Sequence, residues 1–272
     1  LRYGDGLVFY PAGTSIIDYM EWDKKVTLNR RKSYALDNVA QEVLEDTPNE
    51  KVDFSKLNSK IKEKNINDVK RMVQLEEKLK YIDYFDEIRR LSKVEFEDMI
   101  WNSRIIDMLL LQEAKNKKIV LSMKPAEERG TLEDKAEYKG AYRDTFKTGR
   151  LAPVGSYDLS SCYPSMIVDF CLDPSNICTV PLNSETKEGD IRIEETVFRQ
   201  NPDTLLPIVT KKLLTLKNQI KQKLSTIKLN TPEYKNEKVK YEAVKGIVNS
   251  AYGVFGNRFF RLYNPNVASA TT

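Results

Sequence analysis

The chain has 272 residues, 40% of them hydrophobic, and 44 Lys and Arg against 40 Asp and Glu give a formal charge of +4. Such a chain is long and apolar enough for two packed domains, which excludes a disordered protein, while so small a net charge says little about nucleic acid unless it clusters. Histidine is absent, which removes Ser-His and Cys-His nucleophile pairs, histidine bases and the usual zinc ligands, leaving carboxylates, lysines, tyrosines and backbone to carry any chemistry.

Residues 1–18 predict a strand pair, Leu7-Val-Phe-Tyr10 and Ser15-Ile-Ile-Asp18, around a Pro11-Ala-Gly13 turn. Ser33 reads as the N-cap of a helix carrying Leu36, Val39, Ala40 and Val43. From Asn67 to about Lys118 apolar residues recur at three and four, through Val69, Met72, Val73, Leu79, Ile82 and Phe85 and on to Ile106 and Leu110, which predicts a helical block. Pro125 to Gly149 reads as a charged, glycine-containing linker, and a strand over 155–159 is expected to deliver Asp158. A helix over 208–229 presents Leu213, Leu216, Ile220, Leu224 and Ile227 as one stripe. A second helix over 233–254 follows the Asn230-Thr-Pro232 break, so the two should form an antiparallel hairpin. Charge clusters here, with ten Lys against three Glu between 211 and 245.

No stretch approaches the roughly 18 uninterrupted apolar residues of a membrane helix, and no charged-then-apolar leader opens the chain. An intracellular protein, cytoplasmic or at the nucleoid, is therefore expected, with no membrane partner. Cys162, Cys171 and Cys178 lack C-x-x-C spacing and read as ordinary thiols. The first residue is Leu1 rather than Met, as in a piece of a longer protein.

Two motifs carry chemistry. Asp158-Leu-Ser-Ser-Cys-Tyr163-Pro-Ser165 places a carboxylate at a strand end that breaks at Pro164, where Asp158 and the Leu159 carbonyl can ligate magnesium, a hard cation that prefers oxygen. Lys245-Gly-Ile-Val-Asn249-Ser-Ala-Tyr252-Gly253 sets Lys245, Asn249 and Tyr252 at i, i+4 and i+7 on one helical face. Such a face offers Lys245 to phosphates, an Asn249 amide donor and a Tyr252 ring, with Gly253 permitting close backbone approach. Taken singly, Asp158 reads as a strand-end cap, Tyr163 as an interfacial aromatic and the lysines as a solvated face. Both strings in this order make those readings inadequate.

The ordered pair resembles the palm motif D-x-x-S-L-Y-P-S and the fingers motif K-x-x-x-N-S-x-Y-G of family B DNA polymerases, with Cys162 replacing the usual Leu. The resemblance implies Asp158 and Lys245 as catalytic residues, and Ser161, Cys162, Tyr163, Lys245, Asn249 and Tyr252 as nucleotide-binding residues, with the Tyr163 ring excluding a ribose 2′-hydroxyl. The family's R-x-x-x-K after Leu-Pro appears as Lys217 and Lys221 behind Leu206-Pro207, which keeps the charge without the fork of an arginine. Tyr138-Lys-Gly140-Ala141 resembles the template-holding Y-x-G-G/A element, so Tyr138 and Gly140, together with Gly253, are expected to contact DNA. Lys64-Asn-Ile-Asn-Asp68 resembles the third exonuclease motif, with Asp68 as a metal carboxylate but Lys64 in place of the family's Tyr, which puts proofreading in doubt. Tyr19-x-x-x-Asp23 fits the same string but is set aside because no helical run is read after it.

The resemblance implies an α/β, or α+β, fold: a partial palm sheet with an antiparallel helical fingers hairpin, preceded by the C-terminal part of a ribonuclease H-like exonuclease domain. Expected boundaries are 1–118 for the exonuclease-like end and helical connector, 119–150 for the linker, 151–205 for palm, 206–256 for fingers and 257–272 for palm re-entry. Implied partners are primer-template DNA, deoxynucleoside triphosphates and a sliding clamp. Implied cofactor is a two-metal magnesium site whose second carboxylate lies outside the chain, so the piece alone should be inactive. The wording of the exonuclease remnant leans toward a viral origin. Rival readings are a nucleic-acid-binding module that has lost its metal site, which the downstream carboxylates of the parent gene would distinguish, and a 3′-5′ exonuclease alone.

Overall fold

A computed structural model describes residues 2–3, 6–7, 12–28, 30–47, 59–123, 141–142, 144–150, 152–178 and 187–272. Residues 8–10 of the expected first strand, Tyr138, Gly140 and most of the expected linker lie outside these. The chain divides into two compact units, residues 1–90 with 95–100 and residues 91–94 with 101–272.

In the first unit, β1 (Arg2–Tyr3) pairs antiparallel with β2 (Gly6–Leu7). Ser15 to Asp18 is not the second strand of a hairpin. Asp18 instead caps helix α1 (Tyr19–Thr27), accepting the Met20 N–H at 2.9 Å and the Glu21 N–H at 3.4 Å, so the carboxylate serves amide donors the helix cannot pair itself. Helix α2 (Leu36–Leu44) starts after Ala35, two residues beyond the expected cap Ser33, whose Oγ accepts the Ala35 N–H. The helical block is real but begins earlier, at α3 (Ser59–Leu79), and is cut before α4 (Tyr81–Ser92) by Lys80 at φ 57° and after it by Lys93 at φ 61°. A repeat of apolar spacing carries across such left-handed breaks unaltered, which is why it read as one block.

Trp22, Leu75, Phe85, Ile88 and Met99 form the core of this unit, with the Trp22 and Phe85 rings 4.1 Å apart. Val69 and Val73, expected on the buried stripe, are exposed, and Ile82 is too. The inward face of α3 carries Arg71 and Leu75 instead, with the guanidinium held by Asp46 at 2.8 Å and Asp37 at 2.5 Å.

The second unit contains α5 (Asn102–Asn116), α6 (Cys162–Asp169), a three-stranded sheet, α7 (Leu205–Thr226), α8 (Pro232–Ser250) and α9 (Pro265–Thr271). In the sheet β3 (Ile177–Cys178) and β4 (Ile191–Ile193) flank β5 (Thr196–Phe198), all antiparallel, in register Ile177↔Phe198 and Ile191↔Phe198. The fold is thus mixed, with helices predominating over a small antiparallel sheet. The expected hairpin is formed by α7 and α8, stitched by Lys223 and Glu237 at 2.9 Å. Helix α5, with Ile105, Ile106 and Leu110 buried, packs against it, and in the segment after α8 the buried Phe255 and Phe260 rings meet edge-on at 5.2 Å. Arg261 ties that segment to α5, reaching Asp107 at 2.8 and 3.2 Å and the Ser122 carbonyl at 2.5 Å.

One carboxylate sets the direction of α7. Its N-cap residue Thr204 makes no capping bond with its own side chain. Asp173, 3% exposed and just beyond α6, accepts the Leu206 N–H at 2.9 Å and also binds the Ser175 N–H and hydroxyl at 2.8 and 2.5 Å. Buried Asn176 donates toward the carbonyls of Cys171 and Asn201 and toward Thr204 Oγ1, at 2.8 to 3.1 Å. Removing an ionised acceptor that serves buried donors costs more than an ordinary hydrogen bond. Asp173→Ala should lower unfolding stability by about 3 kcal/mol in urea titrations at neutral pH; an unchanged midpoint would mean water replaces the cap.

Candidate nucleotide-binding site

Residues 152–160 run without regular structure into Ser161, so the strand expected over 155–159 is not formed. Among the described residues no strand lies beside it to take its hydrogen bonds, and Tyr157 is 98% exposed, with Leu159 and Asp158 also in solvent. Ser161 adopts a left-handed conformation, φ 59°, and turns the chain into α6. The Cys162 N–H bonds the Leu159 carbonyl at 3.3 Å and the Ser165 N–H bonds the Ser161 carbonyl at 2.9 Å. Pro164 does not break the element as expected. It sits in the first turn of α6, where a missing N–H costs nothing because that donor has no partner within a helix.

Helix α6 packs on α7 and α8, and this brings the two motifs together. The Tyr163 and Tyr252 rings stack with centroids 4.7 Å apart and planes 31° from parallel. Lys217 is 6% exposed and donates its ammonium hydrogen bond to Ser161 Oγ. Burial lowers the Lys217 pKa, and the charges of Lys221 and Lys245 lower it further. Lys221 on α7 and Lys245 on α8 are thus near enough to bear on Lys217, which itself rests on the left-handed turn of the first motif.

The remaining expected residues fall as follows. Lys245 is exposed on α8, 3.4 Å from Glu242 and over the Tyr241 ring at 5.8 Å. Asn249 is exposed one turn further on. Tyr252 lies past the helix end at Ser250, in a turn rather than on the helical face the spacing predicted, yet still meets Tyr163. Gly253 is exposed, and a methyl group there would meet nothing nearer than the Ser250 carbonyl at 4.0 Å, so the fold itself does not require glycine. Cys162 is half-buried at the first position of α6.

As metal ligands, Asp158 offers an exposed carboxylate and Leu159 a carbonyl already engaged by one N–H, both oxygen donors suited to magnesium. Among the described residues no group of three or more Cys, Asp or Glu is spaced to hold an ion. In the first unit, Asp68 lies inside α3 and accepts the Lys64 ammonium at 2.9 Å, an i, i+4 ion pair. The ground for setting Tyr19 and Asp23 aside was mistaken, since α1 does run through them. Asp23 is nonetheless committed, bound by Arg31 at 2.8 Å and by the Tyr81 hydroxyl at 2.6 Å, and Tyr19 donates to Glu76 at 2.7 Å.

Sequence reasoning missed Asp173 and Asn176, which position α7 against α6. Asp-Pro-Ser-Asn after an apolar run signals a capped turn, but the donor it caps lies 33 residues away.

Comparison with known proteins follows the same lines. The profile of DNA polymerase family B matches residues 100–272. The DNA-directed DNA polymerase of Escherichia phage RB69 is 22% identical over a 340-residue alignment covering 99% of this chain and 37% of that protein. The DNA polymerase of Archaeoglobus fulgidus is 25% identical over 189 residues, 68% of this chain and 22% of that one. The mouse DNA polymerase alpha catalytic subunit is 28% identical over 151 residues, 49% of this chain and 10% of that one. The structure of the family B DNA polymerase from Pyrobaculum calidifontis matches 88% of this chain and 32% of its own with a TM-score of 0.67 at 23% identity, a likeness of fold. The chain spans well under half the length of each of these relatives. With a family profile covering more than half its residues, the chain belongs to DNA polymerase family B.

Proposed function

We propose that this chain is the part of a DNA-directed DNA polymerase that grips the incoming deoxynucleoside triphosphate and presents it to a primer 3′ end on a DNA template. The observation that carries the reading is Lys217 on Ser161, with the charges of Lys221 and Lys245 bearing on it, in the same packing of α6 on α7 and α8 that stacks Tyr163 on Tyr252. Clustered cations with no carboxylate among the causes acting on Lys217 suit a polyanion, and a triphosphate supplies one.

In this reaction the primer 3′-oxygen bonds the α-phosphorus, the bond to pyrophosphate breaks, and the hydroxyl proton leaves. Little covalent chemistry falls to the protein, so its residues align and neutralise. Lys217 and Lys221 from α7 and Lys245 from α8 hold the phosphates, with the Asn249 amide beside them. The Tyr163 ring, backed by Tyr252, occupies the space a ribose 2′-hydroxyl would need. Exposed Gly253 leaves its backbone open to the nascent pair. Asp158 and the Leu159 carbonyl would hold magnesium, which when bound supplies charge neutralisation for phosphoryl transfer; completing a two-metal site takes a further carboxylate from outside this chain, so the chain alone is expected not to polymerise. Exonuclease action alone is the weaker reading, because the Asp68 carboxylate is tied by Lys64.

In the polymerase that contains this chain, Asp158→Asn should abolish incorporation while primer-template affinity changes less than about threefold by anisotropy; substantial residual extension removes the metal role. Tyr163→Ala should admit ribonucleotides in single-nucleotide extension assays, and unchanged sugar discrimination would remove Tyr163 as the gate.

Lys217 gives a pH signature whose sign follows from its environment. Burial and its neighbours favour the neutral amine in the free site, whereas a bound phosphate favours the ammonium, so binding takes up a proton above the lowered pKa. Nucleotide affinity should therefore fall as pH rises through that pKa toward the ordinary 10.5. Lys217→Arg keeps its charge there and should flatten the profile in calorimetric titrations with a non-hydrolysable deoxynucleotide. Superimposable profiles for the two proteins would place Lys217 away from the phosphates.

A further inference from the structure

Lys245, the cation of the second motif, does not stand free. Its ammonium donates to the Glu242 carboxylate at 3.4 Å and lies over the Tyr241 ring at 5.8 Å, and both side chains of the ion pair are 45% exposed. The other acidic groups of the hairpin are placed elsewhere. Glu237 is buried and taken by Lys223 at 2.9 Å and Lys240 at 3.9 Å, and Glu233 sits in the first turn of α8. Lys238 is exposed on α8 and makes no ion pair among the described residues.

Lys238, Glu242 and Lys245 stand at i, i+4 and i+7, so they share one face of α8 with the carboxylate between the two cations. On a helix a Glu ahead of its Lys is the better order, which Glu242 and Lys245 have and Lys238 and Glu242 do not. Glu242 therefore takes Lys245 while the site is empty. The pair is half in solvent, so it holds no more firmly than an ordinary surface ion pair. A triphosphate carries more negative charge than one carboxylate and draws Lys245 away, which leaves Glu242 beside a polyanion. Lys238, one turn back on the same face, is the cation left to take it.

We infer that Glu242 is a positioning residue that holds Lys245 off the phosphates in the empty site and passes to Lys238 when a triphosphate binds. The inference deepens the polymerase reading and rests on it for the identity of the ligand.

Calorimetric titrations of the full chain with a non-hydrolysable deoxynucleoside triphosphate, and with inorganic tripolyphosphate as similar charge without sugar and base, test the exchange. At low salt Glu242→Gln should tighten triphosphate binding about threefold, the size of a surface pair released, and the gain should shrink at high salt. In a Lys245→Gln background the same change should have no effect, because the carboxylate then has no lysine to hold back. Lys238→Gln should weaken binding about threefold while Glu242 is present and leave it unchanged alongside Glu242→Gln, whereas Lys238→Arg should bind as the parent does. Lys211→Gln removes an equal charge from α7, where Lys211 lines a cavity with Val168 and Pro207, and should leave binding as it is.

The exchange is overturned if Glu242→Gln binds no more tightly than the parent, if its gain persists without Lys245, if loss of Lys238 costs as much without Glu242, or if Lys211→Gln weakens binding as much as Lys238→Gln. The last three are what a general field of charge would give. Tripolyphosphate separates the exchange from the reading it rests on. The expected couplings with tripolyphosphate in a chain that does not bind the nucleotide sink the polymerase reading alone; nucleotide binding without the couplings sinks the exchange alone; and a chain that binds neither sinks both.

Discussion

The Lys217 ammonium is buried with a serine hydroxyl for a partner, and the charges that act on it are two more lysines. A charge removed from water is ordinarily matched by an opposite one, because a hydroxyl dipole replaces only part of the lost hydration. Lys221 and Lys245 add repulsion where attraction would be usual. The arrangement is locally unfavourable in the free chain, and the proposed triphosphate would offset it, as a binding site rather than a structural contact would require.

Holding cations in such a place needs a frame that does not relax away from them. Asp173 supplies one fixed point by capping α7 from the α6 side, so the helix that carries Lys217 cannot slide along the helix that follows Ser161 without uncovering buried donors. Arg261 supplies another through Asp107, holding the segment that contains Phe260 on α5. Fully buried Phe255 and Phe260 each contribute roughly 1.5 to 3 kcal/mol of burial to the same junction. By contrast Lys223–Glu237 has its lysine in solvent and adds register more than stability. The left-handed Ser161 is the remaining element, a costly conformation in a non-glycine residue that aims the hydroxyl and the start of α6 toward the lysines.

Much of this was legible beforehand because it depends on local rules. The α7–α8 hairpin followed from apolar spacing and the Pro232 stop, and the clustering of lysine on it from counting. Ser161, Tyr163, Lys245 and Tyr252 were expected in one site from two motif strings, and Lys217 and Lys221 from the family pattern behind Leu206-Pro207. What failed did so where a partner distant in sequence decides. A strand over 155–159 has the right alternation, but a strand exists only when another takes its hydrogen bonds. Val69 and Val73 have helical spacing, yet which stripe of α3 turns inward depended on Arg71 finding Asp37 and Asp46. Lys80 and Lys93 break helices with no glycine or proline to announce it.

The amino-acid order alone determined the family, the helical hairpin and the identity of the charged and aromatic groups, since spacing along a chain fixes which side chains share a face. It also placed Asp68 next to Lys64, because four residues apart on a helix are neighbours. Only the tertiary structure decided that Lys217 is the buried lysine, that Ser161 is its partner, that Tyr252 stacks on Tyr163 and that Asp173 caps a helix beginning more than thirty residues later. Those pairings join residues whose separation in sequence carries no geometric information, and packing of α6 against α7 and α8 is what brings them within reach.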